Sequence, residues 1–323
     1  MKIVSELQSH HSSKGTLRLS PIPYVSLPNL SQVFLRLDTQ ASQVAFSRPR
    51  QLLCQNLSTA ESGYDPEIPP CFHSLEAARN GLEYIHICAM RMAQSLPFSP
   101  SINRSVPSAE IKLSLDLIRN FSVIKLRQWS SAFDNFLGNR HNLKDTDQRA
   151  VQILRLHRVM MKLTLTVSYV RLGDEMIWDE YSQDFKTLVS QAEEIIQSSS
   201  ADNKQPSFTL DTEVIMPLFF VAIKCRHSDL RWKAIALLRS TYRQEGICWN
   251  SPITADVAER LVRIEEEGFD GALGATTSIP RLSRVLDVEV GLDAQEKRAS
   301  LNYVKLREDS GIERVNEWIE WSG

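Results

Sequence analysis

The chain has 323 residues, 42% hydrophobic and 24% charged, the balance of an ordinary globular protein with room for one large helical body or about two domains. A formal net charge of -2 gives no bulk basic character of the kind duplex binders show, and only 12 glycines argue against glycine-rich phosphate loops and many-turned barrels. The five cysteines are widely spaced and form no CxxC pair, which argues against a disulfide framework and for a soluble protein in a reducing, intracellular compartment.

Met1–Ser13 lacks the apolar core of a signal peptide, and no stretch approaches the ~18 apolar residues that span a bilayer. Residues 1–29, with Pro21, Pro23 and Pro28, read as a flexible leader. The N-terminal region leans basic through Lys2, Lys14, Arg18, Arg36, Arg48 and Arg50 against Glu6 and Asp38, and solvated charge is the default reading of that excess. Ser31–Phe46 sets Val33, Phe34, Leu37, Ala41, Val44 and Ala45 on one helix face. Residues 47–72, with four prolines and Gly63, read as loop.

Ser74 is a good N-cap for a helix over Ser74–Leu96, whose stripe runs from Leu75 and Ala78 through Leu82 and Ile85 to Leu96, before Pro97 and Pro100. Ala109–Leu137 is helical, with Leu126, Trp129, Phe133, Phe136 and Leu137 as its later buried stripe. Asp145 followed by Gln148 resembles a capping box, opening a helix that reaches about Leu172. Another helix spans Asp179–Gln197, and residues 198–207 form a loop.

Phe208–Arg239 reads as a helical hairpin. Ile215–Ile223 is wholly apolar, with Pro217 tolerable only near the first turn, so this helix is buried on most sides. It ends in Lys224, Cys225, Arg226 and His227; a second helix opens near Asp229 and runs to Arg239, so the charges suit the dipoles at both ends of the turn. Ala255–Gly268 is a further helix, Arg284–Val290 is a short strand or irregular, and Ser310–Trp321 sets Ile312, Val315, Trp318 and Ile319 on one helical face. The expected class is all-α, a single large multi-helical domain over 30–307 behind the leader, with a C-terminal amphipathic tail over 308–323.

Residues able to carry chemistry are few and scattered. Cys71 with His73, and Cys225 with His227, each offer half of a zinc site, but no second pair completes either. Cys225 and His227 also suggest a nucleophile and base, yet residues two apart at a helix end point in different directions, so a buried Cys225 is the better reading. His157 lies on an apolar stripe and reads as a core or interface histidine; His86 follows Ile85 in a packed helix, and His10 and His11 fall in the leader. Glu265, Glu266 and Glu267 fan around a helix and read as a solvated face, and Trp129, Phe133 and Phe136 read as core rather than a stacking platform. HExxH, GxSxG, GxxxxGK(S/T) and DDxxD are absent, so no catalytic, cofactor-binding or metal-binding residue is assigned.

Several pieces then occur in a familiar order: FLRLDTQAS (Phe34–Ser42), SLEAARNGLEYI (Ser74–Ile85), WSSAFDNFL (Trp129–Leu137), RAVQILRLHRVMMKL (Arg149–Leu163) and DFKTLVSQAEEII (Asp184–Ile196). The hairpin follows, then RQEG (Arg243–Gly246), Cys248–Trp249, VAERLVRIEEEG (Val257–Gly268) and VLDVEVGLD (Val285–Asp293). Together they resemble the C-terminal regulatory domain of fungal zinc-cluster transcription factors. The resemblance implies a transcription regulator, nuclear with the cytoplasm as an alternative location, acting through its helical domain and controlling a secondary-metabolite gene cluster. Such factors usually begin with a six-cysteine zinc cluster that places a short helix in the major groove. This sequence has no such spacing, so no DNA-binding residue carries over and direct DNA binding is in doubt. The implied partners are proteins, a full-length zinc-cluster factor among them, with no membrane and no cofactor. Two other readings stay open: a helical module that binds a small metabolite, and an all-α enzyme assembled from distant residues.

Overall fold

Apolar periodicity sets the helices. The computed structural model describes residues 33, 37, 67–94, 109–140, 143–167, 175–198, 206–246, 248–267, 279–293, 295–309 and 311–320. Helix α1 covers Leu75–Gln94, α2 Ala109–Gly138, α3 Asp145–Val167, α4 Ser182–Ser198, α5 Ile215–Lys224, α6 Ser228–Arg239 and α7 Ser251–Glu266. Val33 and Leu37 are helical; the leader and the rest of Ser31–Phe46 lie outside the described residues.

Local chemistry fixes the helix starts. Ser74 Oγ accepts the Ala77 N–H at 3.0 Å, the cap its position predicts. At α3 the expected Asp145–Gln148 box does not form: the Lys144 carbonyl takes the Gln148 N–H at 2.9 Å, and the Gln148 amide turns back to the Leu143 carbonyl at 3.2 Å. Helix α7 begins at Ser251 rather than Ala255, because Asn250 Oδ1 accepts the Ile253 N–H at 3.2 Å and Pro252 fits the first turn.

The expectation of an all-α fold is incorrect: the molecule is mixed α/β, with two three-stranded sheets among the described residues. In the smaller sheet, β1 (Ser207–Thr209) runs parallel to β2 (Arg243–Glu245), which pairs antiparallel with β3 (Trp249–Asn250). Gly246 turns the chain between β2 and β3 at φ 58, a left-handed conformation suited to glycine, and its N–H binds the Thr209 carbonyl at 2.8 Å. The larger sheet is an antiparallel meander of β4 (Val285–Asp293), β5 (Arg298–Leu306) and β6 (Ile312–Glu320). Strand β6 occupies the tail read above as a helix. Its apolar residues satisfy a helical spacing, but the structure uses period 2, with Val315, Glu317 and Ile319 half-buried and Asn316, Trp318 and Glu320 exposed. Pairing with β5 along its whole length, from Arg298–Glu320 to Leu306–Ile312, decides the outcome.

Two apolar cores share helix α3 as a common wall. Val151, Leu154 and Leu165 face α1 and α2, while Leu156, Met160, Leu163 and Val167 face the remainder of the chain. In the first core Trp129 stacks on Phe133 with centroids 4.8 Å apart, and its indole N–H binds the Ala78 carbonyl at 2.6 Å. Gly81 permits this approach, since a Cβ there would stand 3.2 Å from Trp129 Cδ1. The second core centres on α5, whose residues from Ile215 through Ile223 are all buried, against α4, α6 and α7. Phe220 meets Trp178 edge-on at 5.4 Å, and Phe219 packs against Trp249 at 5.7 Å.

The polar turn after α5 is buried with it. Arg231 Nε donates to the Ala222 carbonyl at 2.9 Å and Arg226 Nη1 to the Lys224 carbonyl at 2.8 Å, satisfying groups left unpaired at the helix end. Both guanidiniums converge on Glu265, at 2.6 Å from Arg231 and 2.8 Å from Arg226, and Glu265 also accepts the Val285 N–H at 2.7 Å. Burial raises the pKa of Glu265, but the two guanidiniums override it and hold the carboxyl below its ordinary range. The expectation of a solvated glutamate face therefore fails at Glu265, which is 1% exposed, while Glu266 is half-buried and Glu267 exposed. Glu175 extends the network to Lys224 at 2.7 Å, and Arg284 anchors β4 to Asp179 at 2.7 Å.

Removing one member of a buried ion cluster leaves its partners uncompensated, which costs roughly 3–5 kcal/mol. Glu265→Ala is expected to lower the unfolding free energy by that amount in a denaturant titration, and a change below about 1 kcal/mol would contradict a buried, ionised Glu265.

Candidate functional site

The start of α5 has the same difficulty as its end, because an apolar helix in a core still presents unpaired N–H groups. Pro217, the third helical residue, carries no N–H and so removes one of them. Glu245 of β2, fully buried, takes three of the N–H groups at this end: its carboxylate accepts those of Glu213, Val214 and Ile215 at 2.7, 3.0 and 3.2 Å. The parallel pairing of β1 with β2 carries Glu245 to this point.

Glu213 stands between that cap and solvent. Its carboxylate receives Arg149 Nη2 at 2.5 Å and Arg243 Nη1 at 2.9 Å, and its carbonyl pairs with His157 Nε2 at 2.9 Å. Because a carbonyl only accepts, His157 Nε2 carries the proton. Arg149 also donates to the Ile195 carbonyl at 3.2 Å, closing the end of α4 onto α3. Above these groups opens a cleft of about 720 Å³, walled by Gln148 and Gln152 of α3 and by Phe208 and Thr209 of β1, with Arg149, Arg243 and Glu213 at its base. Phe208 is 66% exposed on the rim. Two guanidiniums share the Glu213 carboxylate, and Asp145 also lines the cleft, so its lining is polar, with two arginines balanced by two carboxylates.

Burial dominates the electrostatics around this site. Glu245 is pushed up to about 7 by burial, against the three N–H donors that pull it down and with the Glu213 charge adding to the rise. Burial lowers His157, against the opposing influence of the Glu213 carbonyl and the Glu213 and Asp211 charges. His86, close to His157, is pushed down to about 4 by burial first and by His157 second. Both rings are therefore neutral at physiological pH.

The other residues singled out in the sequence do not converge on this cleft. Cys71 and His73 are exposed, with Asn139, just after α2, donating to the Cys71 sulfur at 3.9 Å and Arg140 to the His73 carbonyl at 3.3 Å. Cys225 is buried, and burial pushes its thiol up to about 11, which leaves little of the thiolate a nucleophile needs. His227 serves α6 through its carbonyl, which accepts the Leu230 and Arg231 N–H groups, both at 3.1 Å. Trp129, Phe133 and Phe136 are core. His10 and His11 lie outside the described residues. Among the described residues no group of three or more His, Cys, Asp or Glu side chains could hold a metal ion, and no helix is long and apolar enough to cross a membrane. The sequence reading missed Arg149, Glu213, Arg243 and Glu245; the RQEG segment stood in the resemblance, but nothing in its spacing marked Glu245 as the cap of a distant helix.

A 99-residue stretch is 29% identical to the aspercryptin biosynthesis cluster-specific transcription regulator atnN of Emericella nidulans, covering 30% of this chain and 16% of that protein. The chain thus spans only a small part of that relative's length. No protein-family profile matches the chain, and no solved structure matches it. The named likeness is to a regulator of transcription and not to an enzyme.

The pKa of Glu245 in the folded state, about 7, stands above the ordinary carboxylate value of 4.5. Its stabilising contribution is therefore complete below pH 4.5 and is lost as the pH rises through 7. The stability of the native chain relative to a Glu245→Gln variant, in which other titrations cancel, is expected to fall by on the order of 3 kcal/mol from acid to mildly alkaline pH. A difference independent of pH would show that the three N–H groups keep the carboxylate ionised.

Proposed function

We propose that the chain is a regulator of transcription in a fungus, working in the nucleus on a secondary-metabolite gene cluster through contacts between its helical body and other proteins. The partial identity to a cluster-specific transcription regulator carries this reading. The order of segments shared with zinc-cluster regulatory domains, with the α5–α6 hairpin at their centre, supports it. The hairpin serves as scaffold, because each of its polar groups described above is committed to the fold. The partner proposed is a full-length zinc-cluster factor, whose zinc cluster makes the DNA contact.

The cleft lined by Arg149, Arg243, Glu213 and Asp145 favours a second reading, a helical module that binds a small polar metabolite.

Deleting the gene is expected to change transcripts of one contiguous gene cluster at least tenfold, with restoration on re-expression, while the purified chain gives no sequence-selective shift in a salt-titrated DNA-binding assay. Unchanged transcripts across the genome would overturn the regulatory reading. For the second reading, native mass spectrometry of the chain from its own cells would show a bound small polar molecule that Arg243→Ala removes; an unliganded native chain would count against it.

A further inference from the structure

Helix α2 has two apolar faces. One carries Leu115, Ile118, Leu126, Trp129 and Phe133 into the molecule. The other points to solvent: Leu113 is 61% exposed, Leu117 58% and Ile124 53%. These residues lie on a stripe whose members, Glu110, Leu113, Leu117, Asn120, Ile124 and Arg127, are all exposed and follow alternating steps of three and four. That spacing is the seam of a coiled coil, and it points away from the protein's own core.

The charges on the stripe select one partner and one direction. Glu110 and Arg127 close the two ends of the apolar section, and each lies three residues beyond an exposed aliphatic side chain. Parallel pairing with a second copy would set Glu110 against Glu110 and Arg127 against Arg127. An antiparallel copy, related by a two-fold axis between Ile118 and Arg119, sets Glu110 against Arg127 at both ends and Leu113 against Ile124 on both sides. Leu117 and Asn120 then fall beside the axis, Leu117 of each copy against Asn120 of the other. Of the lysines on the outer flanks, Lys125 is turned onto the Phe121 ring, its ammonium 5.5 Å from the centroid. The seam is about 26 Å long.

We infer that this face of α2 is a homodimerisation surface, on which two copies of the chain pair antiparallel through Leu113, Leu117 and Ile124, with Glu110 and Arg127 exchanged across the axis. The inference does not depend on the proposed function. A single-helix seam is smaller than a standard interface, so association lies in the micromolar class.

Sedimentation equilibrium of the full chain from about 1 to about 200 μM covers the range expected of so small an interface. It is expected to show a monomer–dimer equilibrium, abolished by Leu117→Glu with an unchanged melting profile. Glu110→Arg and Arg127→Glu are each expected to raise the dissociation constant at least about tenfold, and the double variant to restore it to within about threefold of the native value. A chain that stays monomeric throughout would overturn the inference. So would a dimer indifferent to Leu117→Glu, or a double variant that stays as weak as its parents.

Discussion

Helix α5 is apolar on every side and buried on every side, and that single condition organises the rest of the second core. A helix in water leaves its terminal N–H and C=O groups to solvent, but one enclosed in a core cannot, and each unpaired group costs about 1–3 kcal/mol. The protein solves both ends with charged side chains brought from elsewhere in the sequence. Glu245 closes the start, and Arg226 and Arg231, held by Glu265, close the finish.

These charges shape the surroundings of α5. Glu245 reaches its place only because β2 pairs in parallel with β1, so the small sheet exists where the cap is needed. Glu265 fixes the end of α7 and takes the Val285 N–H, which seats the first strand of the larger sheet. That sheet then buries Val288, Leu301 and Tyr303 against the same core. The cleft over Arg149 and Arg243 is the outer side of the capped helix start, so its polar character follows from the same requirement.

For the regulator proposed above, such a division of labour is reasonable. The α5–α6 hairpin is committed to folding, its apolar side chains buried and the Arg226 and Arg231 guanidiniums bound to Glu265 and to carbonyls at the end of α5. Features able to distinguish one such protein from another lie outside it: the polar cleft, and the exposed stripe of α2 on the opposite side of that helix from the first core.

Sequence periodicity was sufficient for the helices because a 3.6-residue apolar repeat is written locally; α1, α2, α4, α5 and α6 stand close to where their patterns place them, and the Ser74 cap is formed. It was insufficient for the sheets. The residues from Ile312 to Ile319 satisfy both a helical and a strand spacing, and only the presence of β5 alongside, offering hydrogen bonds along the whole segment, selects the strand. The same limit applies to charge. Glu265 and Glu267 look alike in a run of three glutamates, yet one is buried between two arginines and the other is solvated. Glu245 and α5 are about thirty residues apart, and no local pattern announces that a carboxylate will cap a helix it does not belong to. Composition and periodicity determine what must be buried; the tertiary structure alone decides which distant polar group meets each buried end, because that pairing depends on distances in space that the order of residues does not encode.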